Sequence, residues 1–170
     1  YLIQQLCALL ANYEETDSAA IYGYLALARM YVRSNRLDDA VTAAQEAVRL
    51  ADAVGQAQAE AYSALSKVHE ACDRLPEAME ALEHAMLYMG EGHCLMQAMA
   101  EYGRLALCMG DRKTATQYIM RAVELPDLRD RQVIANVLRT VAQLVHDDPL
   151  VAADIIERLA AHLGNCDVRR

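Results

Sequence analysis

The sequence contains no tryptophan and no phenylalanine, and its 170 residues include only seven glycines and three prolines. So few chain breakers, together with 31 alanines, argue for helices. Cysteine is sparse and unpatterned: Cys7, Cys72, Cys94, Cys108 and Cys166 are odd in number, widely spaced and never in a Cys-x-x-Cys arrangement. That fits reduced thiols better than a disulfide framework, hence an expected cytoplasmic location. Basic blocks are missing as well. With a net charge of −8 the chain lacks the electrostatic footprint of a nucleic-acid binder, and no nucleic-acid partner is expected. No run approaches the roughly 20 apolar residues of a membrane span, so no membrane partner is expected either. The apolar opening from Tyr1 to Ala11 has no basic start and holds Gln4 and Gln5, unlike a secretory leader. A first residue of tyrosine, not methionine, leads us to expect a fragment of a longer protein.

What is present is enough for a core: 55% of residues are hydrophobic and 24% charged, and a chain of this size buries about two thirds of its unfolded surface. Internal periodicity is the informative feature. Tyr24, Leu27, Ala28 and Tyr31, followed by Ala40 and Ala47, align with Tyr62, Leu65, Ser66 and His69, followed by Ala78, Leu82 and Ala85. A third segment keeps Gly103, then Ala115, Ile119 and Ala122. The central alanines Ala40, Ala78 and Ala115 recur every 37 to 38 residues, and a further step reaches Ala152, with Ile156 and Leu159 after it. A step back reaches Leu2, followed by Leu6 and Leu9.

Short polar breaks divide each unit: Ser34-Asn35-Arg36, Cys72-Asp73-Arg74, Gly110-Asp111-Arg112 and His146-Asp147-Asp148-Pro149. Asn35, Asp73, Asp111 and Asp148 are expected to cap the following helices, with Pro149 at a first helical position. After the first break, Leu37, Ala40, Val41, Ala44, Ala47, Val48 and Ala51 return at helical spacing.

This pattern of a long helix, a tight turn and a second helix with alanine at the crossing resembles the tetratricopeptide repeat family. The signature W-x2-L-G-x2-Y…A-x3-F-x2-A is matched in residues 21–54 and 59–90 and weakens afterwards. Ala106 takes the tyrosine role in the third unit, and Asn136, Arg139 and Gln143 stand where apolar anchors are expected in the fourth. The resemblance implies an all-α fold: a right-handed α-solenoid of about four helix-turn-helix repeats plus an N-terminal helix. The expected divisions are an N-terminal helix at 1–16, repeats at 17–54, 55–91 and 92–127, and a degenerate repeat or cap at 128–164. Small residues at Ala28, Ser66 and Gly103 would admit the partner helix, while Tyr24, Tyr31 and Tyr62 would fill the wedge between units.

Catalytic and metal motifs are not found. His69-x2-Cys72 is one pair without a second at fixed spacing, and neither it nor His84, His93 and Cys94 makes a zinc site. No H-E-x-x-H, G-x-S-x-G or phosphate-cradling loop occurs. The acidic pairs Glu14-Glu15, Asp38-Asp39 and Asp147-Asp148 fall at loops or helix starts, where they complement the helix dipole. No enzyme activity, cofactor or metal is expected. Seven of the eight methionines lie between Met79 and Met120; Met79, Met86 and Met120 read as core in place of phenylalanine, and Met96 and Met99 fit neither role clearly.

In the repeats this chain resembles, the first helix of each unit lines a concave wall. The residue after each small contact residue is basic, namely Arg29, Lys67 and Arg104, and the resemblance turns these three toward the wall. With Tyr22, Arg33, Glu60, Gln97 and Glu101 they form the candidate groove. Glu60, Glu70 and Glu101 can instead neutralise the basic row as ordinary ion pairs. The family's clamp for chaperone C-termini is absent, because Leu25, Arg29, Ala64, Gln97 and Glu101 occupy its positions. Two functions follow from the resemblance: a non-catalytic scaffold that binds a protein or peptide segment in its groove, an acidic one where the basic row is functional, or a ligand- or peptide-sensing domain of a bacterial signalling protein that controls an attached output domain.

Overall fold

The computed structural model describes residues 1–10, 18–90, 92–124 and 131–167. These fold as nine α-helices, with no strand among the described residues: α1 (Leu2–Leu10), α2 (Ser18–Arg33), α3 (Leu37–Val54), α4 (Gln58–Ala71), α5 (Leu75–Leu87), α6 (His93–Cys108), α7 (Arg112–Glu124), α8 (Arg131–Asp147) and α9 (Pro149–Asp167). They form two compact units, residues 1–88 and 89–170.

In the first unit α2 pairs with α3 and α4 with α5 as helical hairpins, α3 packs on α4, and α2 lies beside α4. Small side chains make this close approach possible. Ala40, Ala44, Ala47 and Ala51 of α3 and Ala61 of α4 are fully buried, and Ala28 of α2 is 1% exposed. Ala78 and Ala85 of α5 are likewise closed off. Helix α1 packs on α2, where a Cβ added to Gly23 would come within 2.5 Å of Leu10 Cδ2, so a larger residue there would displace the Leu10 side chain. The face α1 buries runs through Ile3, Leu6 and Leu10. The expected stripe through Leu2, Leu6 and Leu9 is therefore corrected: Leu2 and Leu9 are exposed. A nine-residue helix that is apolar on several sides gives its periodicity little power to select a face. The rest of the expected N-terminal helix, 11–16, with Glu14-Glu15, lies outside the described residues.

In the second unit α6 pairs with α7 and α8 with α9, α6 lies beside α8, and α7 packs against α9. Gly103 of α6 meets α7 so closely that a Cβ there would sit 2.8 Å from Ile119 Cγ1 and 3.1 Å from the Ala115 carbonyl oxygen. Met96 and Met99 are buried in this core, which settles their role. Helix α8 is anchored by Val133, Val137, Val141 and Leu144, all buried. Of the polar residues expected to weaken it, Arg139 and Gln143 face solvent, while Asn136 is buried and accepts a 3.0 Å hydrogen bond from Arg139 Nη1. A different stripe of the same helix thus supplies the apolar contacts.

The turns explain the period. Asn35, Asp73 and Gly110 all have left-handed φ values, 55°, 59° and 81°. After each, a backbone N–H reaches five residues back: Arg36 to Tyr31, Arg74 to His69 and Asp111 to Ala106, each at 2.9 Å. This is the Schellman closure of a helix C-terminus. Asn35 and Asp73 therefore end the preceding helix, in place of capping the next; Arg36 and Arg74 hold the cap positions and make no side-chain cap bond. Asp111 and Asp148 do cap, accepting from Thr114 N at 3.1 Å and Val151 N at 3.3 Å. The first turn of each second helix is closed by the central alanine: Ala40, Ala78, Ala115 and Ala152 donate to Arg36, Arg74, Asp111 and Asp148.

Candidate functional site

On α2, Tyr22, Arg29 and Arg33 follow at steps of seven and four residues and so share one face of the helix. Tyr22 is 56% exposed, and both arginines are exposed. On the neighbouring α4, Glu60 and Lys67 stand 38 residues after Tyr22 and Arg29, at the same register, and are also exposed. Packed helix axes lie about 8–10 Å apart, which sets the scale of the step from α2 to α4. Among the described residues neither Arg29 nor Lys67 makes an ion pair. The carboxylates nearby in sequence leave these two cations uncompensated.

The second unit holds Gln97, Glu101 and Arg104 on α6, all partly buried. Arg104 Nη2 lies 3.8 Å from Glu101 Oε1, with the two side chains only 21% and 17% exposed. Unlike Arg29 and Lys67, Arg104 is thus partly buried and paired with a glutamate one turn back, one of the ion pairs the sequence offered. One further step of 37 residues reaches Val141, which is buried, so the basic position does not continue onto α8.

Two clusters in the first unit escaped the sequence reading. Tyr62 stacks on His84, with ring centroids 5.1 Å apart, and on Tyr88 at 6.0 Å, and its hydroxyl donates to Asp52 Oδ2 at 2.9 Å. Burial, then the bond to Asp52, pushes the Tyr62 phenol up to about 12. Tyr31 OH and Cys7 Sγ are hydrogen bonded at 3.6 Å, and the Arg36 guanidinium lies 4.7 Å above the Tyr31 ring while its Nε binds Asp39 at 2.7 Å. The Cys7 bond is the first cause of a raised Tyr31 pKa, followed by burial. His69, at the register of Tyr31, is buried in the tyrosine's place. Among the described residues no three His, Cys, Asp or Glu side chains are grouped as metal ligands, Cys7, Cys72, Cys94 and Cys108 are free, and no helix is long and apolar enough to cross a membrane.

These helical hairpins, with a small residue on the first helix and an alanine at the crossing, have the fold of the tetratricopeptide-like repeat proteins, an α-solenoid class. A putative kinesin light chain from Podospora anserina with nearly identical TPR-like repeats superimposes with a TM-score of 0.72 at 15% identity, over 96% of this chain and 86% of that one. BtubC (BKLC) from P. vanneervenii gives a TM-score of 0.72 at 15% identity, over 98% of this chain and 72% of that one. Neither protein-family comparison nor comparison with curated sequences finds a match.

Proposed function

We propose that the protein is a non-catalytic interaction scaffold that works in the cytoplasm and captures a segment of a partner protein, with α2 and α4 of the first unit as the receiving face. The observation that carries this reading is the pair Arg29 and Lys67: two exposed cations at one register of adjacent helices, without ion pairs among the described residues, in a chain of net charge −8. A local basic row on an acidic protein attracts negative segments and repels other acidic surfaces. The partner segment is accordingly acidic, with a carboxylate for the Arg29 guanidinium, whose fork suits paired hydrogen bonds, and another for Lys67. Tyr22 offers an exposed ring at the other end of the same face, and Arg33 extends the basic row by one turn.

The test is an array of random extended peptides probed with wild-type protein and with the double variant Arg29→Glu, Lys67→Glu. The wild type should select peptides rich in aspartate and glutamate, and the variant should lose them while keeping its helical circular dichroism, since both side chains are exposed. Selection of the same acidic peptides by the double variant would sink this reading.

A further inference from the structure

We propose that His69 is an acid-sensitive latch on the α4–α5 hairpin: its neutral imidazole keeps the hairpin closed, and uptake of a proton in mild acid releases it. His69 is 8% exposed, and its Nδ1 is the one fully buried side-chain nitrogen or oxygen without a hydrogen-bond partner among the described residues. A neutral imidazole can leave one ring nitrogen as a bare acceptor, but the protonated ring has donors on both. Protonation would put a charge and a new N–H where no acceptor waits, so the ring must leave its site or admit water.

The residue is placed to open something. Its own carbonyl accepts from Cys72 N at 3.1 Å and from Arg74 N at 2.9 Å, two of the bonds that end α4 and turn the chain into α5. Displacing the ring therefore strains the closure between the two helices. The corresponding positions are Tyr31 in the first hairpin and Ala106 and Gln143 in the second unit, none of which changes charge in mild acid, so among the described residues only His69 brings such a group to this register.

Burial is the main influence on the imidazole and lowers its pKa; Arg74 in the turn acts in the same direction, while Glu77 and Glu80 on α5 oppose it. Of the charges on the other elements packed against α4, Glu46 and Arg49 on α3 pair with each other at 2.7 Å, Asp39 is held by Arg36, Asp38 and Asp52 lie at the two ends of α3, and α2 offers the cations Arg29 and Arg33. On α4 itself Lys67 and Glu70 flank the histidine in sequence. With the folded pKa below the unfolded value of about 6.5, the stabilisation is full above that value and falls away as pH drops toward the folded pKa; each unit of depression is about a tenfold loss in the ratio of folded to unfolded hairpin.

The experiment compares amide hydrogen-exchange protection factors of Arg74 and Arg36 in the whole chain at pH 7.5 and 5.0, alongside an NMR titration of the His69 ring. The Arg36 amide closes the same kind of turn at the same 2.9 Å, over Tyr31, and serves as an internal control. Arg74 protection should fall several-fold more than that of Arg36 on acidification, His69 should titrate below about 6.5, and His69→Tyr should remove the difference. Equal losses at the two amides, or a His69 that titrates at or above the value of free histidine, would overturn the proposal. If the tyrosine variant fails to fold, the two wild-type measurements decide. None of these outcomes depends on which partner α2 and α4 receive.

Discussion

Gly103 lies against Ile119 so closely that a single added carbon would stand 2.8 Å from Ile119 Cγ1, in a helix crossing where Ile119 itself is fully buried. The alternative to glycine here is a shift of α6 from α7. Gly103→Val should therefore destabilise the chain by about 2 kcal/mol, within the usual range for an overpacked core. The gain in helix propensity on leaving glycine, below about 1 kcal/mol, is too small to reverse the sign. Urea unfolding monitored by circular dichroism measures it.

Ala78 holds the same crossing in the first unit and is completely buried. Ala78→Leu should cost about 1–3 kcal/mol from overpacking. For a chain of this size that lowers the Tm by several degrees, at about 2–4 °C per kcal/mol. An unchanged melt would show that Ala78 is not in a tight interface.

The turn residues should separate into two chemical types. Asp73 has a left-handed backbone and no cap bond, so Asp73→Gly should leave stability unchanged or raise it, because glycine enters that region freely. Asp111→Ala should lower stability, because it removes the acceptor for Thr114 N. The two hydrogen bonds from Thr114 hold the Asp111 carboxyl below its ordinary pKa, so its contribution is present at neutral pH and is lost as pH falls through that depressed value. Thermal melts of both variants at pH 7, and of the wild type against Asp111→Ala in acid, check the pair.

At the alkaline end the phenol of Tyr62 should ionise late. Its folded pKa, about 12, raised first by burial and then by the bond to Asp52, lies above the unfolded value of about 10, so the stabilisation of the neutral phenol is full below pH 10 and is lost as pH rises through 12. Ultraviolet titration of phenolate in wild type and Asp52→Asn should show one tyrosine moving to lower pH in the variant. Identical curves would mean that Asp52 has no hold on the ring.

The repeat was legible because its marks are local. A turn that ends one helix and starts the next fixes where each central alanine falls, and both leave a trace in the residue type. The roles of Asn35 and Asp73 were not legible, since asparagine and aspartate favour both left-handed turns and helix caps. The buried side of α8 was missed because the register carried over from the first two units singles out Asn136, Arg139 and Gln143, while the valines beside them do the packing. At the candidate site, the common register of Arg29 and Lys67 could be read from their spacing of 38 residues, while the face they share was implied only by the resemblance. The pairing of Arg104 with Glu101 was among the ion pairs the sequence offered, whereas the Tyr62 cluster drawn from three helices depends on side-chain packing that no spacing encodes.

The central claim is that α2 and α4 of the first unit receive an acidic segment. Hydrogen exchange of the protein, alone and saturated with an acidic peptide selected from the array, tests it most directly. The account predicts added protection concentrated in residues 22–33 and 60–71 that disappears at high salt, where surface charges are screened. Protection elsewhere in the chain, or protection of these segments that is indifferent to salt, would contradict it.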